Sequence, residues 1–256
     1  MKIKFIGTGS GLTSLKRFHS SFIIYSFDYK LLIDAGDGIS KALLLQNISF
    51  NEINGLLISH LHPDHFSGLA ALLVQMKLTG RKNELDIFIN QTIIEFIKKY
   101  ILQSYIFVDK MGFDINFKPY SDDENVNITE KLSFYAKQNG HLDKYKLYDK
   151  SGNIKFSCNS FLFRERDKSV FYSGDIGDKK DLLLFDEFNF NTMIVETSHV
   201  SLDEIWDIYR QRNLSNLIFT HISDEDESRL QDFIDSLKNV LGKNVFVAKD
   251  GDLILV

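Results

Sequence analysis

At 256 residues, 44 % of them hydrophobic, the chain can bury one substantial core, and neither its two prolines nor its scattered glycines mark a linker, so a single domain over 1–256 is expected. A net charge of −5 speaks against extended, sequence-independent nucleic-acid binding, which depends on many Lys and Arg contacts to phosphate. The single cysteine, Cys158, excludes an internal disulfide and is expected as a small core residue.

In chain order, a strand pattern at 2–6 opens the sequence with no apolar secretion core ahead of it, and no apolar run of membrane-spanning length follows. A soluble cytoplasmic protein without a membrane partner is therefore expected. Strands at 21–26 and 30–34 come next, rich in Ile, Phe, Leu and Tyr between turn-forming residues. Helical patterns at 38–46, 66–79, 91–104, 179–184, 202–212 and 224–240 then alternate with strand patterns at 56–59, 84–89, 113–117, 131–137, 154–164, 168–173, 191–195, 215–219 and 244–248. Two β-rich halves, each with helices, predict an α/β protein of two sheets packed face to face and covered by helices on both outer sides. Of the 22 phenylalanines, those in strand patterns, such as Phe161, Phe163 and Phe171, are expected in the core rather than on a base-stacking surface. The acidic run Asp224-Glu225-Asp226-Glu227 fits the first turn of a helix, where the helix dipole favours negative charge.

The most informative segment is His60-Leu61-His62-Pro63-Asp64-His65, which follows the apolar run Gly55-Leu56-Leu57-Ile58-Ser59. Alternate residues of an extended segment point the same way, so His60 and His62 can converge on one ion, while the turn at Pro63 lets Asp64 and His65 approach a second. Imidazole and carboxylate suit borderline divalent metals, zinc first, then manganese or iron. Further donors stand where apolar strands end: Asp34 after Leu31-Leu32-Ile33, His141 after Gly140, Asp175 after Ser173-Gly174, and His221 after Leu217-Ile218-Phe219-Thr220. Each alone is an ordinary turn or hydrogen-bonded residue; the ordered set carries the argument.

Asp34, the His60 to His65 string, His141, Asp175 and His221, in this order, resemble the five motifs of the metallo-β-lactamase superfamily over most of the chain. That resemblance implies a four-layer αβ/βα sandwich, two mixed β-sheets flanked by helices, with a dinuclear site at one edge. It implies that His60, His62 and His141 hold one metal, that Asp64, His65 and His221 hold the other, and that Asp175 bridges them. Asp34 would orient the site from behind the ligands. Two cations roughly 3.5–4 Å apart can hold a hydroxide for attack, polarise the substrate and stabilise the leaving oxygen, so hydrolysis is expected, with Asp64 as general base.

The opening Phe5-Ile6-Gly7-Thr8-Gly9-Ser10-Gly11 with Arg17-Phe18-His19, and Phe219-Thr220-His221-Ile222-Ser223 near the end, resemble the ribonuclease Z and phosphodiesterase branch. A Gly-rich turn with free amide groups beside Ser10, Arg17 and His19 would cradle a phosphate. Residues 142–174 are too few for the protruding arm with which ribonuclease Z grips transfer RNA, and its histidine directly before a glutamate is replaced by Val195 before Glu196. Glu196-Thr197-Ser198-His199 is similar to class II cyclic-nucleotide phosphodiesterases, with His199 a candidate for assisting the leaving group. The expected partner is thus a small anionic phosphodiester, a cyclic nucleotide or cyclic phosphate, and the chain could pair as a homodimer. The rivals are a carbonyl ester, lactone or thioester hydrolase, a ribonuclease Z-like RNA endonuclease, and a non-catalytic metal-binding protein.

Overall fold

The structure, a computed structural model, describes residues 1–212, 214–237 and 244–256. Its first sheet combines β1 (Lys2–Gly7), β2 (Ser21–Ser26), β3 (Tyr29–Ile33), β4 (Gly55–Leu57), β5 (Leu85–Asn90), β6 (Ile115–Tyr120) and β14 (Leu253–Leu255) in the order β14-β1-β2-β3-β4-β5-β6. The second combines β7 (Glu124–Asn127), β8 (Leu132–Gln138), β9 (Asn159–Glu165), β10 (Lys168–Tyr172), β11 (Thr192–Glu196), β12 (Asn216–Thr220) and β13 (Asn244–Val247) in the order β13-β12-β11-β10-β9-β8-β7. Both sheets are mixed: β3 to β6 run parallel, as do β10 to β13, while the remaining neighbours pair antiparallel.

Side-chain alternation sorts each strand between two cores. Phe22, Ile24, Leu31, Ile33 and Leu57 face the second sheet, where they meet Phe134, Phe161, Phe163, Tyr172, Ile194 and Ile218. Ile23, Leu32 and Leu56 point the other way, onto the helix side with α1 (Ile39–Leu45), α3 (Leu69–Leu78) and α4 (Ile94–Gln103). Leu162, Phe171, Met193, Val195, Leu217 and Phe219 pack with α5 (Leu202–Gln211) and α6 (Asp226–Leu237) on the opposite outside. The result is the predicted helix–sheet–sheet–helix sandwich, and each fully buried Leu, Ile or Phe contributes about 1.5–3 kcal/mol of transfer free energy.

Helix boundaries follow local chemistry. Ser201 and Glu204 form a reciprocal capping box that starts α5, and Leu202, Ile205 and Tyr209 set its buried face. The helix expected over 66–79 is α3, which starts at Leu69 after Gly68, where a β-carbon would stand 2.1 Å from the Gly36 carbonyl oxygen; the short α2 (Pro63–Phe66) precedes it. The segment expected as helix at 179–184 is a 3-10 turn, Lys179–Leu183, and the strand expected from 154 begins at Asn159. Strands β7 and β14 had no counterpart in the hydrophobic pattern. Both are short edge strands with exposed positions, so they pair through backbone rather than through a buried face. Of the acidic run, Asp226 and Glu227 begin α6, while Asp224 precedes it and accepts a hydrogen bond from the Ser14 hydroxyl at 2.8 Å. Residues 238–240 of that expected helix lie outside the described residues. Among the described residues no helix is long and apolar enough to cross a membrane.

Candidate metal centre

The carboxyl ends of β3, β4, β8, β10, β11 and β12 deliver Asp34, His60, His141, Asp175, His199 and His221 to one edge of the sandwich. Strand ends place polar groups on a rigid frame. Asp34 leaves β3 in the left-handed region, φ 60°, and buries its carboxylate completely. Its Oδ1 accepts the Ser59 amide at 2.7 Å, and its Oδ2 accepts the Ser59 hydroxyl and the His65 Nδ1–H, both at 2.8 Å. Gly36 makes room for this crossing, since a β-carbon there would meet the Asp64 carbonyl oxygen at 1.8 Å.

With Nδ1 engaged, His65 presents Nε2 at 3.3 Å from both Asp64 Oδ2 and Asp175 Oδ1. His221, also left-handed at φ 55°, sets Nδ1 at 3.1 Å from the Ser198 hydroxyl and Nε2 at 3.4 Å from Asp64 Oδ2 and Asp175 Oδ2. Across the site, His141 turns Nδ1 to the Ile176 carbonyl and Nε2 to His62 Nδ1 at 3.1 Å. Two donor groups result, His60, His62, His141 and Asp175 in one and Asp64, His65, Asp175 and His221 in the other, each with all its ligand atoms within 4.8 Å of one another. The aspartate common to both is Asp175. All seven residues expected as metal ligands are brought together.

These donors fit divalent ions on chemical grounds. His60 Nε2, His65 Nε2 and Asp175 Oδ1 are buried without a hydrogen-bond partner among the described residues. Buried polar atoms are normally satisfied, and cations held by the two donor groups would meet that need, His60 in one group and His65 in the other, with Asp175 common to both. His65 Nε2 and Asp175 Oδ1 are close but not aligned as a hydrogen bond, so proximity alone does not satisfy them.

Electrostatics divides the two groups. Burial drives the imidazoles of His60 and His62 down, and His141 is pushed down to about 4 by the same cause. Burial also opposes charge on His65 and His221, yet Asp175 with Asp34 outweighs it for His65, and Asp175 with Asp64 for His221, so both are raised. Burial would lift the carboxyls of Asp64 and Asp175; the hydrogen bond from His221 and the nearby charge of His65 hold Asp64 far below the usual range, and the charges of His221 and His65 do so for Asp175.

His199 reaches the centre: its ring lies 4.7 Å from that of His141 and 6.3 Å from that of His221. Its Nδ1 is 2.8 Å from Glu196 Oε1, while Glu196 Oε2 accepts the amides of Ser198 and His199 at 2.5 and 3.0 Å. Sequence reasoning assigned Glu196 no role, although it ends an apolar strand three positions before His199. Tyr145, which carries no motif of its own, also reaches the site: its ring stands edge-on to His62 at 5.7 Å, and Lys144 Nζ lies 5.2 Å from the Tyr145 ring centre.

The expected phosphate cradle is corrected. The Gly9 and Ser10 amides are bonded to the carbonyls of Phe18 and Ile222 at 2.7 and 3.1 Å, so neither is free for an anion. His19 turns Nδ1 to the Ser10 carbonyl at 2.8 Å. Arg17 is buried and directed away, donating to Thr8 Oγ1 at 2.5 Å and the Ala248 carbonyl at 2.7 Å and pairing with Glu227 at 3.0 Å. This stretch ties the loop after β1 to the end of the chain. Gly11 lies beside the centre, where a β-carbon would stand 3.2 Å from Asp64 Oδ2.

The model of one protein family, Anti-Pycsar protein Apyc1, matches residues 1–234. An Anti-Pycsar protein Apyc1 from Paenibacillus harenae is 30 % identical over 190 residues, covering 72 % of this chain and 71 % of that protein. A ribonuclease Z from Archaeoglobus fulgidus is 22 % identical over 298 residues, covering 97 % and 95 %. Among solved structures, the metallo-β-lactamase fold protein YhfI from Bacillus subtilis superposes with a TM-score of 0.77 at 18 % identity, covering 99 % of this chain and 98 % of that one. With the family model, the relatives and the donor cluster in agreement, the chain belongs to the Anti-Pycsar protein Apyc1 family, in the ribonuclease Z and phosphodiesterase branch of the metallo-β-lactamase superfamily, and is a metal-dependent hydrolase.

Proposed function

We propose that the chain is a dinuclear phosphodiesterase acting on a small phosphodiester, a cyclic nucleotide or cyclic phosphate. The observation that carries this reading is the pair of donor groups sharing Asp175. Two ions, zinc by the preference of imidazole and carboxylate donors, would supply Lewis-acid polarisation of the phosphoryl group and acidify the attacking water. Asp64 sets Oδ2 toward His65 and His221 at 3.3 and 3.4 Å, and its other oxygen, Oδ1, would take a proton from that water. His199, held at Nδ1 by Glu196, delivers a proton from Nε2 to the leaving oxygen.

Tyr145 and Lys144 supply an aromatic face and a cation beside His62, a wall suited to a nucleobase. Relatives named ribonuclease Z favour RNA as a second reading. Against it, residues 142–174 carry only the short 3-10 turn Asp143–Tyr148 and the hairpin of β9 and β10.

The test is hydrolysis of nucleoside cyclic phosphates, lactones, thioesters and precursor transfer RNA by protein of measured metal content, with and without chelator. Chelator-sensitive turnover of the cyclic phosphates supports the proposal; selective turnover of carbonyl substrates or of transfer RNA overturns it. Base stacking is worth about 1–3 kcal/mol, so Tyr145→Ala should raise KM for a nucleoside cyclic phosphate roughly 5- to 150-fold while leaving a non-aromatic diester unaffected.

A further inference from the structure

Asp181 lies in the 3-10 turn after β10, buried, and its Oδ2 accepts two backbone amides at once: Gly140 at 3.0 Å and Gly177 at 2.7 Å. Gly140 immediately precedes His141. Gly177 follows Asp175-Ile176, whose Ile176 carbonyl faces His141 Nδ1 at 3.4 Å. The two loops touch backbone to backbone, since a β-carbon on Gly177 would stand 2.5 Å from the Gly140 carbonyl carbon. One carboxylate oxygen thus joins the loop carrying a donor of the first group to the loop carrying the donor common to both.

We propose that Asp181 is a positioning residue that sets the spacing of His141 and Asp175 and so governs how tightly the first ion is held. The proposal rests on the dinuclear reading of the site. It follows from a charge-assisted pair of N–H···O bonds, which are the strong kind, acting on two glycines whose backbones would otherwise be free to part. Asp181 touches no donor side chain in these interactions; it acts through main chain alone. Partners behind a ligand commonly change metal affinity by 10- to 100-fold when removed.

The experiment is competition of metal-loaded protein against a chromophoric chelator, using zinc itself as the probe, so that no substrate is needed. Wild type is compared with Asp181→Ala, Asp181→Asn and Asp178→Ala. Asp178 caps the same turn by accepting the Lys180 amide at 2.7 Å but has no bond to either glycine. The expected result is a 10- to 100-fold weaker first ion in Asp181→Ala. Affinity within about threefold of wild type is expected in Asp181→Asn, which keeps one acceptor oxygen, and in Asp178→Ala. Equal affinity of wild type and Asp181→Ala overturns the proposal, as does an equal loss in Asp178→Ala, which would mean that only the turn matters. If Asp181→Ala does not fold, Asp181→Ser decides, because a serine hydroxyl is too short to bond both amides: a tenfold loss supports the proposal, and wild-type affinity overturns it. A wild type that takes up no second ion refutes the dinuclear reading instead, a failure visible before any variant is compared.

Discussion

Asp34 Oδ2 and His65 Nδ1 are 2.8 Å apart with neither side chain exposed, and the same carboxylate receives two hydrogen bonds from Ser59, the residue before His60. One buried group therefore orients both arms of the histidine string. It holds the His65 proton on Nδ1 and turns Nε2 toward the centre.

Asp34→Asn removes that charge and can place an N–H against the His65 Nδ1–H. The expected outcome is a 10- to 100-fold weaker ion in the group containing His65, with the ion beside His60 less affected. Stepwise metal titration measures both, and equal affinities in variant and wild type would count against the orienting role.

The two donor groups should differ in proton release. His60, His62 and His141 are depressed below the ordinary value of 6.5, so at pH 7 they are neutral and bind without losing protons. His65 and His221 are raised above 6.5, so each must give up its proton, and affinity there should climb as pH rises through their folded values. In the metal-free protein the sign of stability also divides. The neutral trio contributes stability that is full above 6.5 and lost as pH falls below it, whereas His65 and His221 contribute below 6.5 and lose that contribution as pH rises through their raised values. Calorimetry in buffers of different ionisation enthalpy reads the release, and identical release for both ions would contradict this division.

His199→Ala should retain its metals and lose activity according to the leaving group. A general acid contributes about 10²- to 10⁴-fold for a poor leaving group such as a ribose alkoxide, and much less for p-nitrophenolate, which leaves unprotonated. Parallel kcat measurements on a cyclic nucleotide and on bis(p-nitrophenyl) phosphate distinguish the two. A uniform loss on both would assign His199 a packing role against His141.

Arg17→Ala should leave KM for a phosphodiester unchanged and lower stability by about 2 kcal/mol. It deletes charged hydrogen bonds to Thr8 and Ala248 and strands a buried carbonyl. Denaturant unfolding and steady-state kinetics measure the two halves, and a selective rise in KM would restore Arg17 as a phosphate contact.

The short local patterns carried most of what the sequence disclosed. Alternating Phe22-Ile23-Ile24 and Leu31-Leu32-Ile33 announced strands buried on both faces, and the His60 to His65 string announced a metal centre, because both depend only on periodicities of two to four residues. Edge strands β7 and β14 were illegible, since pairing through backbone leaves no hydrophobic trace. The Gly-rich opening was misleading for a related reason: glycines permit a close approach but do not say to what, and here the approach is to the main chain at Phe18 and Ile222. Glu196 beside His199, Tyr145 beside His62 and Asp181 between Gly140 and Gly177 are contacts between loops at different strand ends. The sequence by itself determined which residues could donate to a metal and which segments would be the buried strands. Only the tertiary structure decided which donors meet, which polar groups stand behind them, and that Arg17 faces away, because those outcomes depend on how two sheets far apart in sequence align their carboxyl ends.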